Sequence, residues 1–292
     1  MHLFVQACIL GVLIGGVYAL MASGLTLVFG IMRVINVAQG AMVVLGAYLS
    51  YSLLTRLHID PFVSILLTAP VMFGLGVVVH RLFIRTLRGA RREELSLLVT
   101  WATALGIEGV LSLTYKTTLR STITSYSGRS WVVAGYRISE LRTFGFAMSV
   151  AILICLSLVL TKTRFGRSVR ATVQNPTSAQ LLGVNTDRVS GFGFGIGVAT
   201  AAAAGAVYGM IYPFNPGSHY DLISRTLSIV VLGGLGSIGG AVVAALLLGI
   251  AASVVAVTIS PIWASFVFFM VLIGILLLRP QGLFGIRERG AL

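Results

Sequence analysis

Charge is the scarcest feature of this sequence: 10% of its 292 residues are charged and 57% are hydrophobic. A water-soluble domain carries about a quarter charged residues, so the deficit excludes that class and leaves a polytopic membrane protein. Lysine is nearly absent, with Lys116 and Lys162 the whole complement. Neither follows the glycine spacing of a phosphate-binding loop, which argues against ATP binding by this polypeptide. Cysteine is limited to Cys8 and Cys155, both inside apolar runs and without disulfide or metal spacing; both are expected to pack in the core. His2, His58, His80 and His219 are scattered, and no serine or cysteine has a recognisable base beside it. No catalytic residue, metal or cofactor is therefore expected. The N-terminus, MHLFVQACIL, lacks a basic leader and a small-residue cleavage site, and reads as a first span retained in the mature protein.

What charge there is leans positive, at a net +13. The basic residues stand in short runs between apolar segments rather than along one face, so membrane topology explains them and nucleic acid does not. Apolar runs read as spans, against the length of about 20 residues that a membrane-crossing helix needs, lie at 3–29, at 41–54 in a shorter stretch after the polar break, and at 61–84, 95–115, 144–160, 191–211 and 261–278. Three basic anchors mark the cytoplasmic side: Arg85, Arg88, Arg91 and Arg92; Lys162, Arg164, Arg167, Arg170 and Arg188; and Arg279, Arg287 and Arg289. Residues 116–143 then fall outside by alternation, although they hold Lys116, Arg120, Arg129, Arg137 and Arg142. The stretch 221–261 must enter and leave to satisfy parity. The expectation is one all-α transmembrane domain over 1–292 with nine crossings, or eight if one leg is re-entrant, and an external N-terminus.

Two stretches interrupt this pattern. VFGIMRVINVAQGAMVVLG (28–46) sets Arg33, Asn36, Gln39 and Gly40 between apolar runs, and VVLGGLGSIGGAVVAALLLG (230–249) sets Gly233, Gly234, Gly236 and Ser237 likewise. Paired interruptions in two halves of a membrane chain point to a transport path, and irregular backbone at membrane depth must be buried in protein or reached by water. Glycines free the backbone to turn; Asn36, Gln39 and Ser237 can satisfy it or contact a polar solute. Arg33 is placed either to attract a carboxylate or to anchor a tip at the membrane surface. Glu108, an acid with apolar neighbours, invites a functional role, but a proton relay needs further ionisable groups at its depth and none stands out. A buried, partnered or protonated structural role is favoured for it.

Between the fifth and sixth of these runs, TKTRFGRSVRATVQNPTSAQLLGVNTDRV places Asn175 as a helix cap, Pro176 in the first turn and Gly183 as a stop. The enclosed PTSAQLL is a very short helix with Leu181 and Leu182 exposed, too short to stand without a partner surface. Glycine pairs four apart, Gly11/Gly15, Gly193/Gly197 and Gly205/Gly209, are expected to pack helices closely.

The segments GLTLVFGIMRVINVAQGAMVVLGAY (24–48), GRSVRATVQNPTSAQLLGVNTDRV (166–189), VVLGGLGSIGGA (230–241) and LLRPQGLFG (277–285) together resemble the permeases of branched-chain amino-acid ABC importers. The resemblance covers essentially the whole chain. It implies a multi-pass protein of the bacterial or archaeal cytoplasmic membrane, paired with a second permease, usually a different one. It also implies two ATP-binding cassette subunits that hydrolyse ATP, and an extracytoplasmic solute-binding protein that delivers substrate. By this resemblance residues 175–183 form a coupling helix seated on an ATPase subunit, with Gly166, Arg167 and Arg170 preceding it. The chain departs from the family pattern after Asn175, where Pro176, Thr177 and Ser178 stand in place of an acidic residue. It departs again at Gln39, where a histidine is common. The family also includes permeases for urea, short amides and other small solutes. From another class, a self-sufficient channel or ion-coupled carrier would explain Glu108 and Arg33 but leaves the 175–183 helix without a purpose.

Overall fold

The computed structural model describes residues 2–87, 92–124, 126–133, 135–278 and 282–284. In chain order the helices are α1 (His2–Met32), α2 (Gln39–Leu57), α3 (Pro61–Val79), α4 (Arg92–Tyr115), α5 (Glu140–Lys162), α6 (Arg164–Gln174), α7 (Pro176–Leu181), α8 (Thr186–Ile211), α9 (His219–Gly233), α10 (Ile238–Thr258) and α11 (Pro261–Leu278). A two-stranded antiparallel sheet, β1 (Ser130–Val133) and β2 (Tyr136–Ser139), is the one sheet among the described residues. Among the described residues eight helices are long and apolar enough to cross a membrane; α6, α7 and α9 are not among them. The expected all-helical membrane architecture is thus what the chain adopts, with α9, at 15 residues, as the short leg.

Local chemistry sets the helix ends. At the α2–α3 corner His58 takes a left-handed φ of 55°, Asp60 Oδ1 accepts from the Phe62 N–H at 2.9 Å, and Pro61 occupies the first turn. α3 runs on as a π-helical turn over His80–Ile84. Among the eight long helices α8 is the most enclosed, with 83% of its apolar window buried, and α11 the least, at 6%. Small residues explain that centrality, because lipid offers helices no hydrophobic drive and close backbone approach must hold them. A Cβ on Gly205 would overlap the Val43 carbonyl of α2, and one on Gly76 of α3 would lie 2.9 Å from the Cα of Gly195. α1 and α10 run antiparallel in the same way, Gly11 facing Ile250 and Gly15 facing Leu246.

The bundle has two ends. The hairpin end carries residues 58–60, the β-ribbon and residues 212–218. There His2 stacks on Tyr136 at 4.2 Å between ring centroids, and Arg120 and Phe214 exchange two backbone hydrogen bonds of 2.8 Å. The loop end carries the π-turn, α6 and α7; there Arg85 pairs with Asp187 at 3.2 Å.

Several expectations need correction. α5 begins at Glu140 rather than at 144, because the β-ribbon delivers the chain directly into it, and α8 begins at Thr186 rather than at 191 because Asn185 caps it, accepting from the Arg188 N–H at 3.0 Å. Cys155 is exposed on α5 rather than packed in the core, and Cys8 is half-buried. Arg88, Arg91, Arg279, Arg287 and Arg289, and the side chain of Arg92, lie outside the described residues, as do parts of the 277–285 segment.

Candidate functional site: two helix breaks and a coupling segment

The first break occupies residues 33–38. α1 ends when Arg33 turns left-handed, φ 54°, and Arg33 is exposed at the loop end. The chain then climbs back into the bundle, where Asn36 and Gln39 are fully buried. Asn36 Nδ2 donates to Gln39 Oε1 at 3.2 Å, and Gln39 Nε2 donates to the Gly197 carbonyl at 3.1 Å, well inside α8. Gly24 of α1 makes the room: a Cβ there would lie 2.5 Å from that carbonyl and 2.7 Å from the Gln39 amide nitrogen. Thr100 of α4 accepts from the Val37 N–H at 3.2 Å. Asn36 Oδ1 is buried with no hydrogen-bond partner among the described residues. The break is therefore not a tip at one surface; it spans from the loop end to the bundle interior, and α2 starts inside.

The second break, residues 234–237, lies at the loop end against the first, with the backbones meeting at Gly30 and Gly236. Gly234 and Gly236 take φ of 95° and 86°, a region open to glycine without strain. Ser237 Oγ accepts from the Gly240 N–H at 3.1 Å, so its hydroxyl caps α10. Leu235 and Gly236 are exposed, while Gly233 is buried against Ala241. Leu283 closes the far side, its N–H donating to the Leu232 carbonyl at 2.7 Å.

α9 begins inside the bundle as well. A Cβ on Gly40, at the start of α2, would lie 2.5 Å from the His219 carbonyl oxygen. From there 15 residues, rising about 1.5 Å each, reach the loop end, and residues 212–218 cover the remaining depth in non-helical and 3₁₀ form. At this junction Glu108 Oε2 accepts from His219 Nε2 and from the Tyr220 hydroxyl, both at 3.0 Å. One turn further along α9, Arg225 pairs with Asp221 at 2.7 Å and donates to the Tyr18 hydroxyl at 3.1 Å and to Ser265 at 2.6 Å. Sequence reasoning missed His219, Tyr220, Asp221 and Arg225. The available signal was an apolar run too short to cross, opening on HYD directly after a proline–glycine turn.

At the loop end the sequence pattern did not predict α6. Thr163 Oγ1 caps it, accepting from the Gly166 N–H at 3.1 Å. α6 folds back on α5, because Gly166 leaves no room for a Cβ against the Leu160 carbonyl and the Arg170 guanidinium donates to that same oxygen. α7 follows the expected local chemistry: Asn175 Oδ1 accepts from the Ser178 N–H at 3.0 Å, Pro176 opens the helix, and Gly183, φ 83°, ends it. Ala179 is buried, while Leu181 and Leu182 are 85% and 83% exposed. Arg167 is exposed on α6. Between this segment and the first break lies a polar cavity of about 690 Å³ whose lining includes Arg33, Glu93, Gln174, Asn175, Gln180 and Asp187.

Discontinuous helices that start within a helical bundle are a feature of membrane transport proteins, and here they join at one end a short capped helix bearing exposed leucines. Residues 8–276 match the profile of the family described as branched-chain amino acid transport system / permease component, and the chain belongs to that family. It is 31% identical to the high-affinity branched-chain amino acid transport system permease protein LivH of Escherichia coli K12, over 97% of this chain and 96% of that protein. BraD of Pseudomonas aeruginosa, of the same description, is 30% identical over the same shares. The probable branched-chain amino acid transport permease protein LivH of Methanocaldococcus jannaschii is 25% identical over 91% of this chain and 88% of that protein. No solved structure matches. The chain is a multi-pass permease subunit of an ABC importer in the cytoplasmic membrane, and family membership implies partner subunits.

Proposed function

We propose that this permease forms half of a pathway for branched-chain or closely related amino acids. The other half comes from a second, related permease chain, the energy from two ATP-binding cassette subunits, and the substrate from an extracytoplasmic binding protein. The loop end, with residues 162–190, faces the cytoplasm, and residues 116–143 face outward. The observation that carries this reading is the segment from Gly166 to Gly183. α7 is held by the buried Ala179 and by the Gln180 amide, which donates to the Thr186 hydroxyl of α8 at 2.7 Å, yet leaves two leucines exposed. Exposed leucines on so short a helix cost free energy unless a partner covers them.

The pathway is assigned to the faces of the two breaks: Arg33, Asn36, Gln39 and Gly40 in the first, and Gly233, Gly234, Gly236 and Ser237 in the second. The polar cavity at Arg33 lies between the first break and the coupling segment, a position from which movement of α7 reaches the break. Coupling works if the ATPase subunits bind one arrangement of the breaks better than the other.

The deciding experiment pairs binding with transport. Changing Leu181 and Leu182 together to aspartate is expected to release the ATPase subunits while the permease stays in the membrane; unchanged co-purification contradicts the assignment. In proteoliposomes containing the whole importer, leucine uptake is expected to require ATP and the binding protein. Uptake by this chain alone would support a self-sufficient channel or carrier instead.

A further inference from the structure

Glu108 has more coordinating capacity than its neighbours use. Oε2 accepts both available hydrogen bonds, from His219 and from Tyr220. Oε1 accepts none among the described residues; it faces Gly217, whose Cβ, if present, would lie 3.9 Å away. The carboxylate is not sealed in, its side chain being 25% exposed. Placed about two helical turns inside the end of α4 at Tyr115, an ionised group open to lipid costs on the order of 3 kcal/mol. The face it opens on therefore borders water or a polar solute.

The same face carries an aromatic wall. Trp101 and Glu108 are seven residues apart on α4 and share one side of it. Trp101 packs on Tyr220, ring centroids 5.9 Å apart, and both rings are exposed, at 42% and 41%. The exposed Leu105, one turn from each along α4, lies between them. Glu108 bonds only His219 and Tyr220 among the described residues, and the nearby cation Arg225 is engaged instead by Asp221, Tyr18 and Ser265. A carboxylate with a free oxygen, a phenol bonded beside it and two partly exposed aromatic rings, of which Tyr220 also packs on His219 at 3.9 Å between centroids, suit a cation carried on a small organic body, held by charge and by cation–π attraction.

We infer that Glu108 Oε1, with the rings of Tyr220 and Trp101, forms a subsite for the ammonium group of the transported solute, resting on the amino-acid reading above. This subsite admits solutes bearing a primary ammonium and disfavours neutral amides and urea. His219 is a positioning residue, buried and donating to Oε2 so that Oε1 is left for the solute.

The test uses the complete permease–ATPase complex in nanodiscs and the Trp101 fluorescence, taken as the signal lost in Trp101→Phe. Three probes are titrated: leucine, 3-methylbutylamine, which keeps the ammonium, and 4-methylpentanoate, which keeps the carboxylate. Leucine and the amine are expected to change the signal and 4-methylpentanoate to leave it unchanged. In Glu108→Gln, half-saturation is expected to rise about tenfold or more, the loss of one hydrogen bond to a charged group, with Glu108→Asp intermediate. A response to the carboxylate probe equal to that of the amine, or equal half-saturation in wild type and Glu108→Gln, overturns the subsite. Should Glu108→Gln not fold, the amine against carboxylate comparison on the wild type still decides. ATP-driven leucine uptake by the wild-type importer separates the two readings. Its absence with the amine response intact removes the amino-acid assignment alone, whereas its presence without an amine response removes the subsite alone.

Discussion

In the first break the backbone is held by side chains, and in the second by glycine. Residues 33–38 are pinned by Asn36, Gln39 and Thr100, whose bonds reach into α8 and α4, and the two amides are fully buried. Residues 234–237 use two left-handed glycines, one serine cap and backbone packing between Gly233 and Gly240, with Leu235 and Gly236 exposed. The difference separates two kinds of joint. A break tied to a neighbouring helix by amide hydrogen bonds moves only when those bonds exchange partners. A break set by glycine has low barriers and yields to whatever packs on it.

Substitutions in each break put this contrast at risk. The largest effect is expected for Gly240→Val, because any Cβ at Gly240 overlaps the Gly233 carbonyl. The cost should be about 3 kcal/mol or more, seen as loss of the monodisperse peak on size-exclusion in detergent. Normal folding of this variant would mean that the glycine joint is looser than its contacts imply. Gln39→Leu comes next: it strands the Asn36 amide inside the bundle, while the Gly197 carbonyl keeps the Thr200 hydroxyl at 2.9 Å, and should cost about 1–3 kcal/mol, read as a lower melting temperature in nanodiscs, with uptake impaired. An unchanged melting temperature would show that packing, not the amide, holds the first break. Ser237→Ala removes one cap and should cost about 1 kcal/mol in the same assay; a loss as large as that of Gln39→Leu would erase the distinction between the joints. The smallest effect has the opposite sign. Arg33 sits at φ 54°, a conformation asparagine tolerates better, so Arg33→Asn should stabilise by up to about 1 kcal/mol. A clear loss of stability would reveal that the Arg33 side chain is engaged.

Local features were legible in the order of letters. Asn175, Pro176 and Gly183 bracket α7 because capping depends on residues within one turn, and the spans show because bilayer thickness imposes a length. The positions of both breaks were legible for the same reason. α6 was not: it is amphipathic and short, so no apolar run announces it, and its stability comes from docking on α5 through Gly166 and Arg170. Cys155 shows the limit from the other side, since an apolar neighbourhood in sequence says nothing about which side of a helix meets lipid.

The sequence by itself determined a chain that must live in a bilayer, where it is broken and where it is capped, because hydrophobic length and turn chemistry act over a few residues. Only the tertiary structure decided what the polar residues inside the bundle do. Gln39 finds the Gly197 carbonyl 158 positions away, and Glu108 finds His219 at a separation of 111. Within hydrocarbon a polar group must be paired by whatever the packing brings near it, and packing is set by close glycine contacts between helices rather than by proximity along the chain.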